Sequence, residues 1–218
     1  MSTRHRFAVI PTHNRPEHLR TCIEAIRPQV NQIFVIDNAS DPPVDVPDVF
    51  IIRNPQQPPN LSALWNLGLE AVEIYAQSGG YDHWDVAILN DDAVPYIDWM
   101  ERVCTAMRSG TAIAGCTISG VPSPILYGPG TYPGTNTRVT GWAFVLRGEG
   151  GIRFDEQFVW WCGDDDISEY ARQNGGLVVV PGPEVPNLLA NSTTVGANLA
   201  QSAVDMQRYV DKHGRRPW

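Results

Sequence analysis

Four short, largely apolar runs within residues 1–95 constrain the fold of this chain more than any other feature: Phe7–Ile10, Gln32–Ile36, Val49–Ile52 and Val86–Leu89. Each is too short for a stable helix, and none shows the polar–apolar alternation of a sheet with one wet face. Runs of this kind are parallel strands buried on both sides. Helical patterns separate them. Pro16 suits a first helical position, and Glu17–Ile26 follows with helical spacing. Leu61–Ala76 carries Leu61, Leu64, Trp65, Leu69, Val72 and Tyr75 on one side. The order strand–helix–strand–strand–helix–strand predicts an α/β architecture, with a mostly parallel central sheet flanked by helices.

The later part of the chain carries weaker patterns. Ile97–Met107 reads as a helix, Thr111–Ile118 as a strand, and Gly120–Asn136, rich in glycine and proline, as a long loop. Thr140–Leu146 and Leu177–Val180 read as strands, Ile167–Gln173 and Ser202–His213 as helices. Arg215–Trp218 is expected to fray.

Two acidic clusters end apolar segments. The first is Asn90-Asp91-Asp92, after Val86–Leu89; the second is Asp164-Asp165-Asp166, after Trp160 and Trp161. Adjacent carboxylates repel, so they need a cation or a raised pKa. A strand ending in acids delivers them to the sheet rim, where open α/β sheets bind ligands. Hard oxygen donors suit Mg²⁺ or Mn²⁺ carrying a substrate's phosphates. The second cluster places a candidate base beside aromatic rings.

The bulk numbers narrow the classes. A chain of 218 residues fits one domain, and 43% hydrophobic with 18% charged residues excludes disorder. A net charge of −8 disfavours an extended nucleic-acid surface. Cys22, Cys104, Cys116 and Cys162 are scattered without a C-x-x-C pair, which argues for buried or free thiols over a zinc site or disulfide framework. The opening M-S-T-R-H-R-F-A-V-I-P lacks a signal-peptide core, and no run approaches the roughly 18 apolar residues of a membrane helix. A cytoplasmic protein without membrane insertion is the expectation.

Four motifs in order resemble the inverting glycosyltransferases of family 2, which have the GT-A fold. F-A-V-I-P-T-H-N-R-P is similar to the family's opening V-x-I-P-T-Y-N-R, and I-F-V-I-D-N-A-S to its second strand. N-L-S-A-L-W-N-L-G-L-E-A-V is similar to the helix beside the nucleotide, and L-N-D-D-A stands at the D-x-D motif. The last third adds G-W-A-F-V-L-R, F-D-E-Q-F and G-D-D-D-I-S, similar to the family's G-x-x-x-x-x-R, F-D-E-x-F and E-D-x-D-L-S. The resemblance runs from about Phe7 to about Asn191.

It implies a single Rossmann-like GT-A domain: residues 1–95 as the nucleotide-sugar-binding half, 96–200 as the acceptor and catalytic half, and 201–218 as a C-terminal helix and tail. It implies transfer of a sugar, with inversion, from a nucleotide diphosphate sugar to an acceptor hydroxyl of a saccharide, protein or modified nucleotide. Mn²⁺ or Mg²⁺ is the implied cofactor. Asp92 matches the metal-binding carboxylate, with Asn90 and Asp91 beside it at the nucleotide sugar. Pro11, Thr12, Asn14 and Arg15 would line the nucleotide, Asp37 would bind nucleobase or ribose, and Asn66 base or diphosphate. The family's register puts Asp164 at the catalytic base and Asp166 at the second acid, with Asp165 as the competing base. Asp166 as a helix cap is the plainer alternative. Gly141, Trp160 and Trp161 fall on the acceptor side. If the tryptophan segment is extended, alternation sends one ring to the core and one to the cleft.

One departure stands out. Where many relatives carry a histidine ligand, V-P-G-P-E-V-P-N puts Asn187, a weaker hard-metal donor. Either Asn187 and the phosphates complete the site with Asp92, or His213 substitutes. Two rival readings remain. A nucleotidyltransferase would carry a Gly-rich basic loop after the first strand, and P-T-H-N-R-P has no glycine. A non-catalytic nucleotide-sugar- or carbohydrate-binding protein would not need three acids at 164–166.

Overall fold

The computed structural model describes residues 4–108, 110–132, 134, 136–189 and 197–217. Strand β1 (His5–Thr12), helix α1 (Pro16–Ile26), β2 (Gln32–Asp37), β3 (Phe50–Arg53), α2 (Leu61–Ser78) and β4 (Trp84–Leu89) follow the predicted order. Then come α3 (Trp99–Arg108), β5 (Ala114–Ile118), β6 (Ile125–Tyr127), β7 (Ala143–Arg147), α4 (Gly163–Gln173), β8 (Leu177–Pro181) and α5 (Ala197–His213).

The eight strands form one sheet in the order β3-β2-β1-β4-β7-β5-β8-β6. β1 pairs in parallel with β2 and β4, β2 with β3, and β5 with β8. β7 is antiparallel to both neighbours, and β6 to β8. The mixed α/β sheet, mostly parallel and flanked by helices, matches the expected class.

Alternation along the buried strands builds two apolar layers. Phe7 and Val9 of β1 join Leu64, Trp65, Leu69 and Val72 of α2, with Ile167 and Ala171 of α4. Ala8 and Ile10 face the other way, onto Leu19, Ile23 and Ile26 of α1 and Trp99, Met100, Val103 and Met107 of α3. So α2 and α4 cover one face, and α1 and α3 the other. At Gly68 an added Cβ would lie 2.2 Å from Val9 Cγ1, so only glycine lets α2 approach β1 this closely.

Three sequence expectations are corrected here. The acids at 164–166 do not precede the fourth helix but form its first turn, because α4 begins at Gly163. The Gly120–Asn136 segment is not wholly loop; Ile125–Tyr127 pairs with β8, and its residues 133 and 135 lie outside the described residues. The tail does not fray at Arg215, which bonds both Glu169 carboxylate oxygens at 3.0 and 2.9 Å; Trp218 lies outside the described residues, as does Asn191. Among the described residues no helix is long and apolar enough to cross a membrane. All four cysteines are buried and free.

Candidate active site

The parallel strands β1, β2 and β4 end along one edge, so the loops after Thr12, Asp37 and Leu89 share that rim. A cleft of about 440 Å³ opens beside it. Asn90, Asp92, Arg15, Trp142, Asn187 and Glu184 line it, together with Gly141, Arg138, Trp160, Trp161, Asp164 and Asp165 from the later half of the chain. The two acidic clusters, 72 residues apart in sequence from Asp92 to Asp164, therefore face one space.

The first cluster divides its work. Asp91 accepts from Thr12 Oγ1 at 2.8 Å and lies 3.3 Å from an Arg15 nitrogen, so it fastens the β1 loop to the end of β4. Asp92 is 4% exposed, and its Oδ1 is buried without a hydrogen-bond partner. Burial first, then the neighbouring charge of Asp91, raise its pKa, with Arg15 opposing. The segment around Asn187 runs antiparallel to it: Ala93 bridges Asn187, Leu188 N donates to Asp92 O at 3.0 Å, and Val94 N to Pro186 O at 2.9 Å. Asn187 Oδ1 is also buried without a partner.

An unpartnered buried oxygen costs free energy of about 1–3 kcal/mol. Two such oxygens on adjoining segments of one rim, one from a carboxylate and one from an amide, are the donor chemistry of a hard cation. The residues present fit Mn²⁺ or Mg²⁺ on that ground. No group of three His, Cys, Asp or Glu side chains among the described residues is arranged around a metal, so phosphate oxygens would have to complete the sphere. His213 does not supply a ligand: its Nε2 lies 2.8 Å from Asp166 Oδ1.

The second cluster separates equally clearly. Asp165 is 3% exposed and accepts from Arg138 at 2.9 Å. Asp166 pairs with Lys212 and His213, behind the cleft. It is not the cap of α4; the N-cap position is Cys162, in a left-handed conformation at φ 65°. Asp164, 18% exposed, is the acid presented to the cleft, with Arg138 4.0 Å away. Its Oδ2 occupies the space beside Gly141, where a Cβ would lie only 2.8 Å from it. Burial raises the pKa of Asp164, while Arg138 and backbone N–H groups of the first turn oppose. Asp165 is likewise raised, by burial and then by Asp164. Ser168 locks this arrangement: its hydroxyl donates to Asp164 O at 2.6 Å and accepts from Val139 N at 3.0 Å, tying Arg138 to α4.

Other sequence-chosen residues are employed elsewhere. Asp37, 2% exposed, accepts from Ser40 N, Val44 N and Arg53 at 3.1, 3.0 and 2.7 Å, so its carboxylate holds the loop after β2. Asn14 accepts from Asp41 N at 2.7 Å and joins that loop to the one after β1. Pro11 is buried within β1, beyond the last pair with β4, where the strand keeps only β2 as a neighbour. Asn66 spends its amide on Phe154 N, Phe154 O and Glu156, and its neighbour Trp65 lines the cleft instead.

The alternation expected of Trp160 and Trp161 does not occur. Both are half-buried and both border the cleft, because residues 159–162 form a bent loop and not a strand, although Trp161 also packs against the buried Phe158, Cys162 and Tyr209. Sequence reading missed Arg138 and Trp142. Trp142 adjoins Gly141 in a motif already singled out; Arg138 carries no local signal.

The profile of glycosyl transferase family 2 matches residues 7–140. No curated protein matches significantly. Among solved structures, the mannosyltransferase PcManGT from Pyrobaculum calidifontis, in complex with GDP-Man and Mn²⁺, has a TM-score of 0.64 at 14% identity, over 99% of this chain and 67% of that one. S. aureus TarS 1–349, also solved in complex with UDP, has a TM-score of 0.57 at 11% identity, over 83% of this chain and 59% of that one. This chain thus spans under two thirds of TarS 1–349. At such identities the likeness establishes the fold, which is GT-A. The family profile covers both strand-end loops and the first acidic cluster, and the chain belongs to glycosyl transferase family 2.

Proposed function

We propose that the cleft transfers a sugar from a nucleotide diphosphate sugar to an acceptor hydroxyl, with inversion and metal assistance. The observation that carries this reading is the pair of buried, unpartnered oxygens, Asp92 Oδ1 and Asn187 Oδ1, in the same cleft as Asp164. Asp92 and Asn187 would hold Mn²⁺ or Mg²⁺, which would neutralise the charge that develops on a departing diphosphate. Arg15 lies at the same rim, where a guanidinium can also face phosphate.

Asp164 acts as the general base. It takes the proton of the acceptor hydroxyl as that oxygen attacks the anomeric carbon, and the diphosphate leaves from the other side. A single displacement inverts the configuration. Burial supports the role, because a raised pKa makes a carboxylate a better proton acceptor. Arg138 keeps the neighbouring Asp165 paired, which leaves Asp164 as the acid that meets substrate. Trp160, Trp161 and Trp142 offer apolar surface for an acceptor in a cleft of mixed polar and apolar lining.

The test is release of nucleoside diphosphate from UDP- and GDP-hexoses, with Mn²⁺ or Mg²⁺, by the unmodified protein and by Asp92→Ala. The unmodified protein is expected to release it and Asp92→Ala to lose both release and metal-dependent nucleotide binding, with the fold intact. Equal release by Asp92→Ala would refute the metal assignment. Transfer of a nucleotidyl group with release of pyrophosphate would establish the nucleotidyltransferase alternative instead.

A further inference from the structure

The C-terminal helix α5 lies outside the stretch matched by the family profile, yet one of its side chains reaches the cleft loop. Asp205 is completely buried. Its Oδ2 accepts from three successive backbone N–H groups, Val159, Trp160 and Trp161, at 3.1, 2.8 and 3.0 Å. Its Oδ1 accepts from Gln201 at 2.8 Å and lies 3.3 Å from Arg208.

Three consecutive amides converge on one oxygen only if the backbone curls around it. That curl replaces the strand-like alternation and brings both tryptophans to the border of the cleft, Trp161 also packing on Phe158, Cys162 and Tyr209. The interaction uses a charge, and charge-assisted hydrogen bonds are about twice as strong as neutral ones. A buried carboxylate without such partners would be prohibitively costly, so loop and carboxylate stabilise each other. Flanking contacts hold α5 in register: Tyr209 packs on Phe158 with ring centroids 6.2 Å apart, and Lys212 and His213 pair with Asp166.

We infer that Asp205 is a positioning residue for the acceptor side of the cleft: through the three amides it sets where Trp160 and Trp161 stand. The inference rests on the glycosyltransferase reading for the nature of the ligand, but its geometric half does not. Asp205→Asn is the informative variant. The amide oxygen can still accept, but without charge, and its NH2 meets Gln201 and Arg208, which are themselves donors.

Two measurements decide it, with Gln207→Ala, an exposed position of the same helix whose amide bonds Asp211, as the control that leaves Asp205 and the three amides bonded. Hydrogen exchange at Val159, Trp160 and Trp161 should quicken at least tenfold in Asp205→Asn and stay within twofold in the control. Binding of a panel of methyl pyranosides, read by tryptophan fluorescence, should weaken at least tenfold in Asp205→Asn, while Mn²⁺-dependent binding of UDP or GDP stays within twofold. Asp205→Ala is expected to show both effects more strongly; if it fails to fold, the Asn variant decides alone. Unchanged exchange at the three amides, or equal loss of nucleotide and glycoside affinity, would overturn the role of Asp205. Failure of the unmodified protein to bind any nucleotide would overturn the transferase reading instead, and is separately visible.

Discussion

Gly141→Ala tests the site geometry with the smallest possible change. Gly141 borders the cleft, and an added Cβ would lie 2.8 Å from Asp164 Oδ2, about 0.6 Å short of ordinary contact at 3.4 Å. Something must move. The other nearby atoms belong to the same carboxylate, Asp164 Cγ at 3.3 Å and Oδ1 at 3.8 Å, so the obstacle is the far end of a side chain and not backbone. It can swing aside cheaply. The cost in stability should therefore stay below about 1 kcal/mol, the cost of a modest rotamer displacement. The cost in catalysis should be larger. A misplacement of about 1 Å can cost about 10²-fold in rate. A shift of roughly half that predicts about a tenfold loss of kcat, with donor KM unchanged. Gly128→Ala is the control, because no atom lies within 4 Å of its added Cβ. The assay is nucleoside diphosphate release with saturating donor, alongside a thermal melt. Full activity in Gly141→Ala would refute the placement of the base. A large drop in Tm with proportionate loss of activity would show that the backbone, not the carboxylate, had yielded.

Three further outcomes are expected. Asp164→Asn should lower turnover by about 10²-fold or more while nucleotide binding persists; if Asp165→Asn alone does this, the register of the base is off by one. Because burial raises the pKa of Asp164, its ionised, competent form is lost as pH falls through a value above the usual carboxylate range, so the acid limb of the rate profile should lie above that range, and Arg138→Gln should move it higher. The same shift means that Asp164 binds its proton more tightly folded than unfolded, so its contribution to stability declines as pH rises from the unfolded to the folded pKa. Calorimetry should find Mn²⁺ binding weak without nucleotide and strong with UDP or GDP, since Asp92 and Asn187 alone leave the coordination sphere to be completed by phosphate.

Much of the fold was legible because burial on both faces leaves a local mark. β1, β2 and β4 are buried along most of their length and needed apolar side chains there, and their runs showed it; β3, at the sheet edge with exposed ends, showed only the short run Phe50–Ile52. Helix α2 showed the 3.6-residue stripe that its single buried face requires. The two acidic clusters were equally visible, because charges at the end of an apolar run have no packing role. Short β6, with one exposed and two half-buried residues, left no such mark.

The roles within the clusters were not legible. Asp91 and Asp92 are adjacent and chemically identical; one fastens Thr12 while the other keeps an oxygen bare, and only the passage of residues 186–188 alongside decides which. Asp164, Asp165 and Asp166 differ because a helical turn points them in three directions, toward Gly141, Arg138 and Lys212. Asp37 and Asn66 were reasonable ligand choices by type and position, yet Arg53 and Phe154 occupy them. Asp205 had no signal at all: a lone acid in a helical tail becomes a support of the cleft only when α5 docks. Residue type and periodicity determined that acids and rings would gather at the end of a buried sheet. Which acid faces substrate, and which holds the frame, was decided by partners 16 to 88 residues distant in sequence, and hydrogen bonds of that reach exist only after the chain has packed.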